Sequence, residues 1–199
     1  MAKAKRDLPV VAFKSQQAWD SWLTSQPADS NGLWLKLAKK SSGIASVSKP
    51  EAIDTALCHG WIDGQLDSFD DDYWLIRFTP RQSTSKWSEK NRARALELVA
   101  SKRMRPAGRN EIERAKKDGR WDAAYAPQST AEVPDDLRAA LAENKKASAF
   151  FETLNGANRY AILYRIHNAR KPETRVARIR QFVAMLVAGE TLHPQKSKR

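Results

Sequence analysis

The sequence predicts an α+β protein, with a small antiparallel sheet and helices in the N-terminal part and an all-α helical C-terminal part. Three observations carry that reading. Apolar residues alternate with period two before Arg81, and strand signals disappear after it. Capping residues and apolar positions three to four apart dominate the rest of the chain. Charge changes at the same place: through Pro80 there are 9 Lys/Arg and 10 Asp/Glu, and from Arg81 on there are 26 and 13, within a net charge of +12. Trp19, Trp22, Trp34, Trp61 and Trp74 all precede the change. These shifts divide the chain into an α+β domain at 8–81 and a basic helical domain at 82–193, with flexible tails at 1–7 and 194–199.

Each element has its own signal. Val10 to Phe13 is a short strand. Ser15 opens a helix with Trp19, Trp22 and Leu23 on one face, ended by the turn at Pro27, Asp29 and Ser30. GLWLKLAKK (32–40) sets Leu33, Leu35 and Leu37 against Trp34, Lys36 and Ala38, the alternation of a strand. After a Ser/Gly loop (41–48), Ser48-x-x-Glu51 forms a capping box for a helix whose face is Ile53, Ala56 and Leu57 and whose stop is Gly60. GWIDGQLDSF (60–69) and DYWLIRFTPR (72–81) read as a hairpin around Asp70, Asp71 and Asp72, because aspartate tolerates turn conformations.

Six helices follow. Ser88 caps one running to about Ser101, with Leu96, Val99 and Ala100 inward. Pro106 opens the next, with Ile112 and Ala115 inward and Gly119 closing it. Pro134 opens a short third. Asn144 caps a fourth whose inward residues are Ala147, Phe150, Phe151 and Leu154, stopped by Asn155-Gly156. Residues 159–170 form a fifth, and Pro172 opens a sixth with the stripe Val176, Ile179, Phe182, Val183 and Leu186.

Composition excludes several classes. An apolar fraction of 41% excludes a wholly disordered chain, and no apolar run reaches the ~20 residues of a membrane helix. The start, MAKAKRDLPVVAF, lacks the apolar stretch of a secretory signal. The lone Cys58 fits a reducing compartment, and the expected location is the cytoplasm.

Two constellations are candidates for function. The first is Trp61, Asp63, Tyr73, Arg77, Arg81, Lys86, Trp87 and Asn91. Strand alternation places Trp61 with Asp63 and Tyr73 with Arg77, so a carboxylate would face a guanidinium between indoles. That arrangement suits a small anionic ligand or a nucleotide base. It equally suits a brace in which Asp63 and Arg77 form an ion pair, the tryptophans are core, and Arg81 to Asn91 leads into the first helix of the basic part. The second constellation is basic: Lys102, Arg103, Arg105 and Arg109 at one helix junction, and Arg159, Tyr160, Tyr164, Arg165, Lys171, Arg175 and Arg178 on the last two helices. Basic side chains interleaved with aromatics suit phosphate contacts plus base stacking, whereas a solvated helix face with local partners accounts for part of the charge.

Catalysis finds little support. Cys58 and His59 are neighbours about 100° apart on a helix, so they do not face each other. Neither His167 nor His193 has a spacing that completes a metal site, and no phosphate-cradling glycine loop or nucleophile elbow is present. No catalytic residue, metal or cofactor is assigned.

GWIDG (60–64), RFTPR (77–81), SKWSEKNR (85–92), DGRWDAAY (118–125), VPDDLRAAL (133–141), NRYAILYRI (158–166) and KPETRVARI (171–179) together resemble the YdeI/OmpD-associated family of bacteriocin-protection proteins over about residues 30–190. His59 stands where that family's pattern has an aromatic residue before GWID. The resemblance implies a role in bacteriocin or envelope-stress protection. With the charge distribution, it leads to a non-catalytic binding protein whose partner is a polyanion, nucleic acid in the first place and an acidic protein as the rival. The alternative is a small-molecule or enzyme site at the Trp/Asp/Arg cluster.

Overall fold

The computed structural model describes residues 8–27 and 29–195. Residues 1–7 and 196–199, which fall in the expected flexible tails, lie outside the described residues. The chain forms two compact units that divide between Ala124 and Tyr125.

The first unit runs β1 (Val10–Ala12), α1 (Gln16–Thr24), β2 (Leu33–Ala38), a 3-10 turn (Lys40–Ser42), α2 (Lys49–Cys58), β3 (Trp61–Ser68), β4 (Tyr73–Pro80), α3 (Glu89–Ala100) and α4 (Pro106–Lys117). Its four strands lie in the order β1-β2-β4-β3. The α+β class holds, but the sheet is mixed rather than antiparallel. β1 runs parallel to β2, with Val11 opposite Leu35, because α1 is the crossover that a parallel connection requires. β2 pairs antiparallel with β4 from Leu33↔Phe78 to Ala38↔Tyr73, and β4 pairs with β3 from Trp61↔Pro80 to Ser68↔Trp74. The hairpin turn forms at the predicted aspartates: Asp70 Oδ1 accepts the N–H groups of Asp72 (3.0 Å) and Tyr73 (2.7 Å). A bulge interrupts β3 between Asp63 and Leu66.

One sheet face packs on α1 and α2. Trp19 is fully buried, stacks on Trp22 at 5.3 Å, and donates Nε1–H to the Ala52 carbonyl at 3.1 Å, so its polar atom is satisfied inside the core. Phe13, Trp61 and Phe78 complete this aromatic cluster. Truncating Trp19 to alanine would cost about 3–5 kcal/mol. The capping box opens α2 with Ser48 and Glu51 bonded reciprocally, and Gly60, at φ +74, turns the chain out of the helix.

α2 has two buried faces. Ala52 and Ala56 join the sheet core, while Leu57 and Cys58 join a second core with Trp87, Leu98, Ile112 and Trp121. For this reason α3 and α4 belong to the first unit, and the change of charge at Arg81 does not coincide with the division into compact units. The inward face of α3 is Ala95 and Leu98, not Leu96, which is 52% exposed, or Ala100, because that helix turns its Ala95–Leu98 side toward α2.

The second unit holds α5 (Asp135–Ala142), α6 (Lys145–Thr153), α7 (Gly156–His167) and α8 (Pro172–Val187). Leu137, Phe151, Ile162, Ile166, Phe182 and Leu186 form its core. Asn155-Gly156 does not merely stop α6. The Asn155 side chain accepts the Asn158 N–H at 2.9 Å and so caps α7, which starts at Gly156. Val176, expected in the apolar stripe of α8, is 48% exposed, and the buried stripe is Ile179, Phe182 and Leu186.

Candidate functional site

The first predicted cluster is not one constellation. Register sets Asp63 opposite Phe78, so its side chain lies on the face that carries Trp61, whereas Arg77 is opposite Trp34 on the other face. The expected Asp63–Arg77 pairing across the hairpin therefore does not form. Asp63 instead accepts from the Asn91 amide at 3.5 Å. Trp61 and Trp87 are buried core residues. Arg81, only 4% exposed, lies 3.7 Å over the Trp87 ring and donates to the Lys86 carbonyl at 3.3 Å. Its own carbonyl accepts from Arg114 at 3.2 Å. Tyr73 receives the Lys36 ammonium over its ring at 3.9 Å. Most of these residues brace the fold. Asp63 and Arg77 do both line an open cleft of about 570 Å³ at the end of the sheet, with Asp29, Asn31, Gln65 and Thr79, but no indole forms its wall.

The second predicted cluster is divided between the units. Residues 1–124 hold 22 Lys/Arg and 16 Asp/Glu, and residues 125–199 hold 13 and 7, a balance of +6 in each. In the second unit, most of the nominated side chains are engaged. Arg175 makes a two-pronged contact with Asp136, one arm at 2.9 Å, and donates to the Ile166 carbonyl at 3.1 Å. Arg178 donates to the Arg165 carbonyl, and Arg165 to the Ala161 carbonyl at 3.1 Å. Arg159 lies over Phe151 and reaches Glu152. Tyr160 donates to the Ala126 carbonyl at 2.9 Å, and Tyr164 packs edge-on against Tyr125. Lys171 forms the exposed N-cap of α8.

The first unit gathers its bases differently. Lys102, Arg103 and Arg105 lie in the turn from α3 to α4 and form one rim of a second cleft, of about 610 Å³. Gln16, Gln17 and Asp20 of α1 form the opposite rim, and Thr55 and Cys58 of α2 are its buried floor. Arg109 is exposed one turn further along α4. Local folding explains the rim. The N–H groups of Arg103 and Met104 both donate to the Leu98 carbonyl at 3.0 Å, which closes the end of α3 and forces Lys102 to φ +58. Glycine usually occupies that place, and a lysine there costs about 1–2 kcal/mol. Gly108 brings α4 close: a Cβ on it would meet the Leu57 and Cys58 carbonyl oxygens at 2.6 Å.

The electrostatics are set by a relay of three side chains. Asp20 accepts from His59 Nε2 at 2.8 Å through one oxygen and from the Arg105 guanidinium through the other. Burial works against the Asp20 carboxylate, but the hydrogen bonds from His59 and Arg105 outweigh it and hold its pKa below the usual carboxylate value. His59 goes the opposite way to a simple ion pair. Burial lowers its pKa, and the bond to Asp20 only partly restores it, so the imidazole is neutral near pH 7 and donates from Nε2. Burial likewise raises the pKa of the Cys58 thiol, which keeps it protonated rather than a nucleophile. The cleft lining thus carries three cations against one carboxylate.

Lys102, Arg103 and Arg105, named from the sequence, line this cleft, and so do Asp20, Gln16, Gln17 and Thr55, which the sequence did not single out. Asp20 looks like any solvent-facing residue of an amphipathic helix, since its partners are 39 and 85 positions away.

Residues 11–111, within the first unit, match the family described as a domain of unknown function (DUF8412). Residues 130–189, within the second, match the family described as bacteriocin-protection, YdeI or OmpD-associated. The resemblance to the YdeI/OmpD-associated family, expected over about residues 30–190, is thus shown over 130–189, which holds VPDDLRAAL, NRYAILYRI and KPETRVARI; GWIDG, RFTPR and SKWSEKNR lie in the stretch that the first family covers, and DGRWDAAY lies between the two matches. No curated protein and no solved structure matches the chain. The first match spans half of the 199 residues, so the chain belongs to the DUF8412 family and joins to it a helical segment similar to the YdeI/OmpD-associated bacteriocin-protection family.

Proposed function

We propose that this chain is a non-catalytic, cytoplasmic binding protein for phosphate-bearing polyanions, nucleic acid foremost, and that it serves in bacteriocin or envelope-stress protection. The role in protection follows the description of the family matched by residues 130–189. The binding reading rests above all on one observation: of four bases within eight residues, Lys102, Arg103 and Arg105 line an open cleft, and Arg109 is exposed one turn beyond them on α4. Asp54 and Asp20 only partly offset Arg103 and Arg105, and among the described residues Lys102 and Arg109 have no carboxylate within ion-pair distance. Charge placed this way favours anion capture over self-neutralisation. The second unit is a weaker contributor, because most of its nominated arginines are tied to carboxylates or backbone carbonyls. Among the described residues no helix is long and apolar enough to cross a membrane.

The test is fluorescence anisotropy with a labelled single-stranded oligonucleotide between about 50 and 200 mM salt. Four phosphate contacts give a log–log salt slope of about −3. Replacing Lys102 and Arg109 together by alanine should weaken binding and make the slope shallower by about 1.4. Undetectable binding at about 50 mM salt, or affinity flat in salt, would sink the reading.

A second reading has one observation in its favour, the cleft shared by Asp63 and Arg77. Asp29, Asn31 and Gln65 line it as well, and a cleft whose lining is this polar suits a small polar ligand. Ligand-induced changes in NMR peaks of Gly64 and Gln65, with none at Lys102, would favour it.

A further inference from the structure

We propose that the cleft between α1, α2 and the α3–α4 turn is a preformed socket for a terminal phosphate, the dianion of a phosphomonoester, rather than for the diester backbone of a polymer. The inference rests on the polyanion reading and deepens it. Two features support it. The first is a guanidinium fixed in advance. Asp20 takes one nitrogen of Arg105 and is itself held by His59 at 2.8 Å, so the remaining Arg105 donors are oriented before any ligand arrives. Here His59 and Asp20 are positioning residues, and Arg105 is the one that touches the ligand.

The second feature is Lys102. The chain keeps a lysine at φ +58, closing a helix where glycine would sit without strain, and that lysine lines the cleft. Strain retained in a cleft wall, with an ammonium group as its result, points to a use for that ammonium. With Arg103, which Asp54 partly offsets from outside the lining, the rim supplies three cations, and Asp20 removes one charge, leaving a lining of at most +2. A monoester phosphate near neutral pH carries up to two negative charges, whereas a diester carries one. Thr55 and Cys58 close the floor, so a group entering the cleft ends there.

The experiment compares one oligonucleotide with a 5′-phosphate and with a 5′-hydroxyl, and adds inorganic phosphate as competitor and as stabiliser in thermal melts. The phosphorylated strand should bind about tenfold more tightly. Inorganic phosphate should erase that difference and raise the melting temperature. The Lys102→Gly variant should unfold at higher denaturant, since the strain is relieved, yet lose the preference and most of the phosphate-induced shift. The conservative Arg105→Lys variant, which keeps the charge but not the fork, should lose the preference in part. Equal affinity for the two strands would overturn this proposal and leave polymer binding standing. Stabilisation by phosphate and its loss in Lys102→Gly, with no oligonucleotide bound, would support the socket and overturn the polymer reading. A Lys102→Gly protein that is more stable and keeps the full preference would reduce the lysine to a helix-end accident and remove the proposal's main support.

Discussion

His59, the C-cap of α2, reaches back 39 positions to Asp20 of α1 and places Nε2 2.8 Å from its carboxylate. Asp20 shifts as the carboxylate of an ion pair does, but His59 shifts the other way. Burial holds the His59 pKa below 6.5, and hydrogen bonds hold Asp20 below 3.8.

Stability against pH follows from these directions. The unfolded chain takes up the His59 proton at a higher pH than the folded one does, so the histidine's contribution is complete above about pH 6.5 and is lost as pH falls through its lowered folded value. Asp20 acts lower: its contribution is present above about pH 3.8 and is lost as pH falls below that toward its folded value. The denaturant midpoint should therefore decline from pH 7 to pH 5 in the natural protein. In a His59→Gln variant, which keeps an amide donor for Asp20, that part of the profile should be flatter. An unchanged slope in the variant would show that another group sets the acid sensitivity.

Gly108 carries a second prediction. A methyl group at this position would lie 2.4 Å from Met104 Sδ and 2.6 Å from the carbonyl oxygens of Leu57 and Cys58. The methionine can move, but the two carbonyls end a buried helix and cannot. Gly108→Ala should therefore cost about 2–3 kcal/mol, with α4 driven off α2. Gly119→Ala is the control. It has open space around it but φ +74, so backbone strain alone acts and the cost should be about 1 kcal/mol. Urea unfolding of the two variants should rank them in that order, and the reverse order would mean that α4 is not seated against α2 as described.

Legibility from sequence followed the range of the interactions. The hairpin at Asp70 and the caps at Ser15, Ser48, Ser88 and Asn144 are local, with side chain and backbone partners three or fewer positions apart, and all were readable. Asn155 was readable as helix punctuation but not as to side: one Asn-Gly pair both follows α6 and opens α7. The parallel pairing of β1 was hidden because alternation gives a strand's faces and not its partner. Asp63 and Arg77 were assigned to a common face, since each strand's alternation is legible while the register between them is not. The basic residues were easy to list, but whether an arginine is available or spent depends on partners far along the chain, such as Asp136 for Arg175.

That last contact gives Arg175 a part in the fold. A charge map of the sequence alone makes Arg175 a ligand-binding residue, and its reversal should then weaken binding without harming the fold. The structure makes it a tie between α8, the start of α5 and the end of α7, through Asp136 and the Ile166 carbonyl. The hydrogen bonds from Arg175 hold the Asp136 carboxyl below its usual pKa. Because Asp136 is 43% exposed at its side chain, solvent screens much of the attraction. Arg175→Ala should still cost about 1–2 kcal/mol, since it removes a forked contact and leaves the Ile166 carbonyl without that donor. Arg175→Glu should cost more, by placing like charges together at the start of α5. The loss should appear in the second unit, as faster amide exchange in α5 and α8, while oligonucleotide affinity measured below the unfolding temperature changes little. A variant of full stability with strongly weakened binding would instead return Arg175 to the ligand-binding surface.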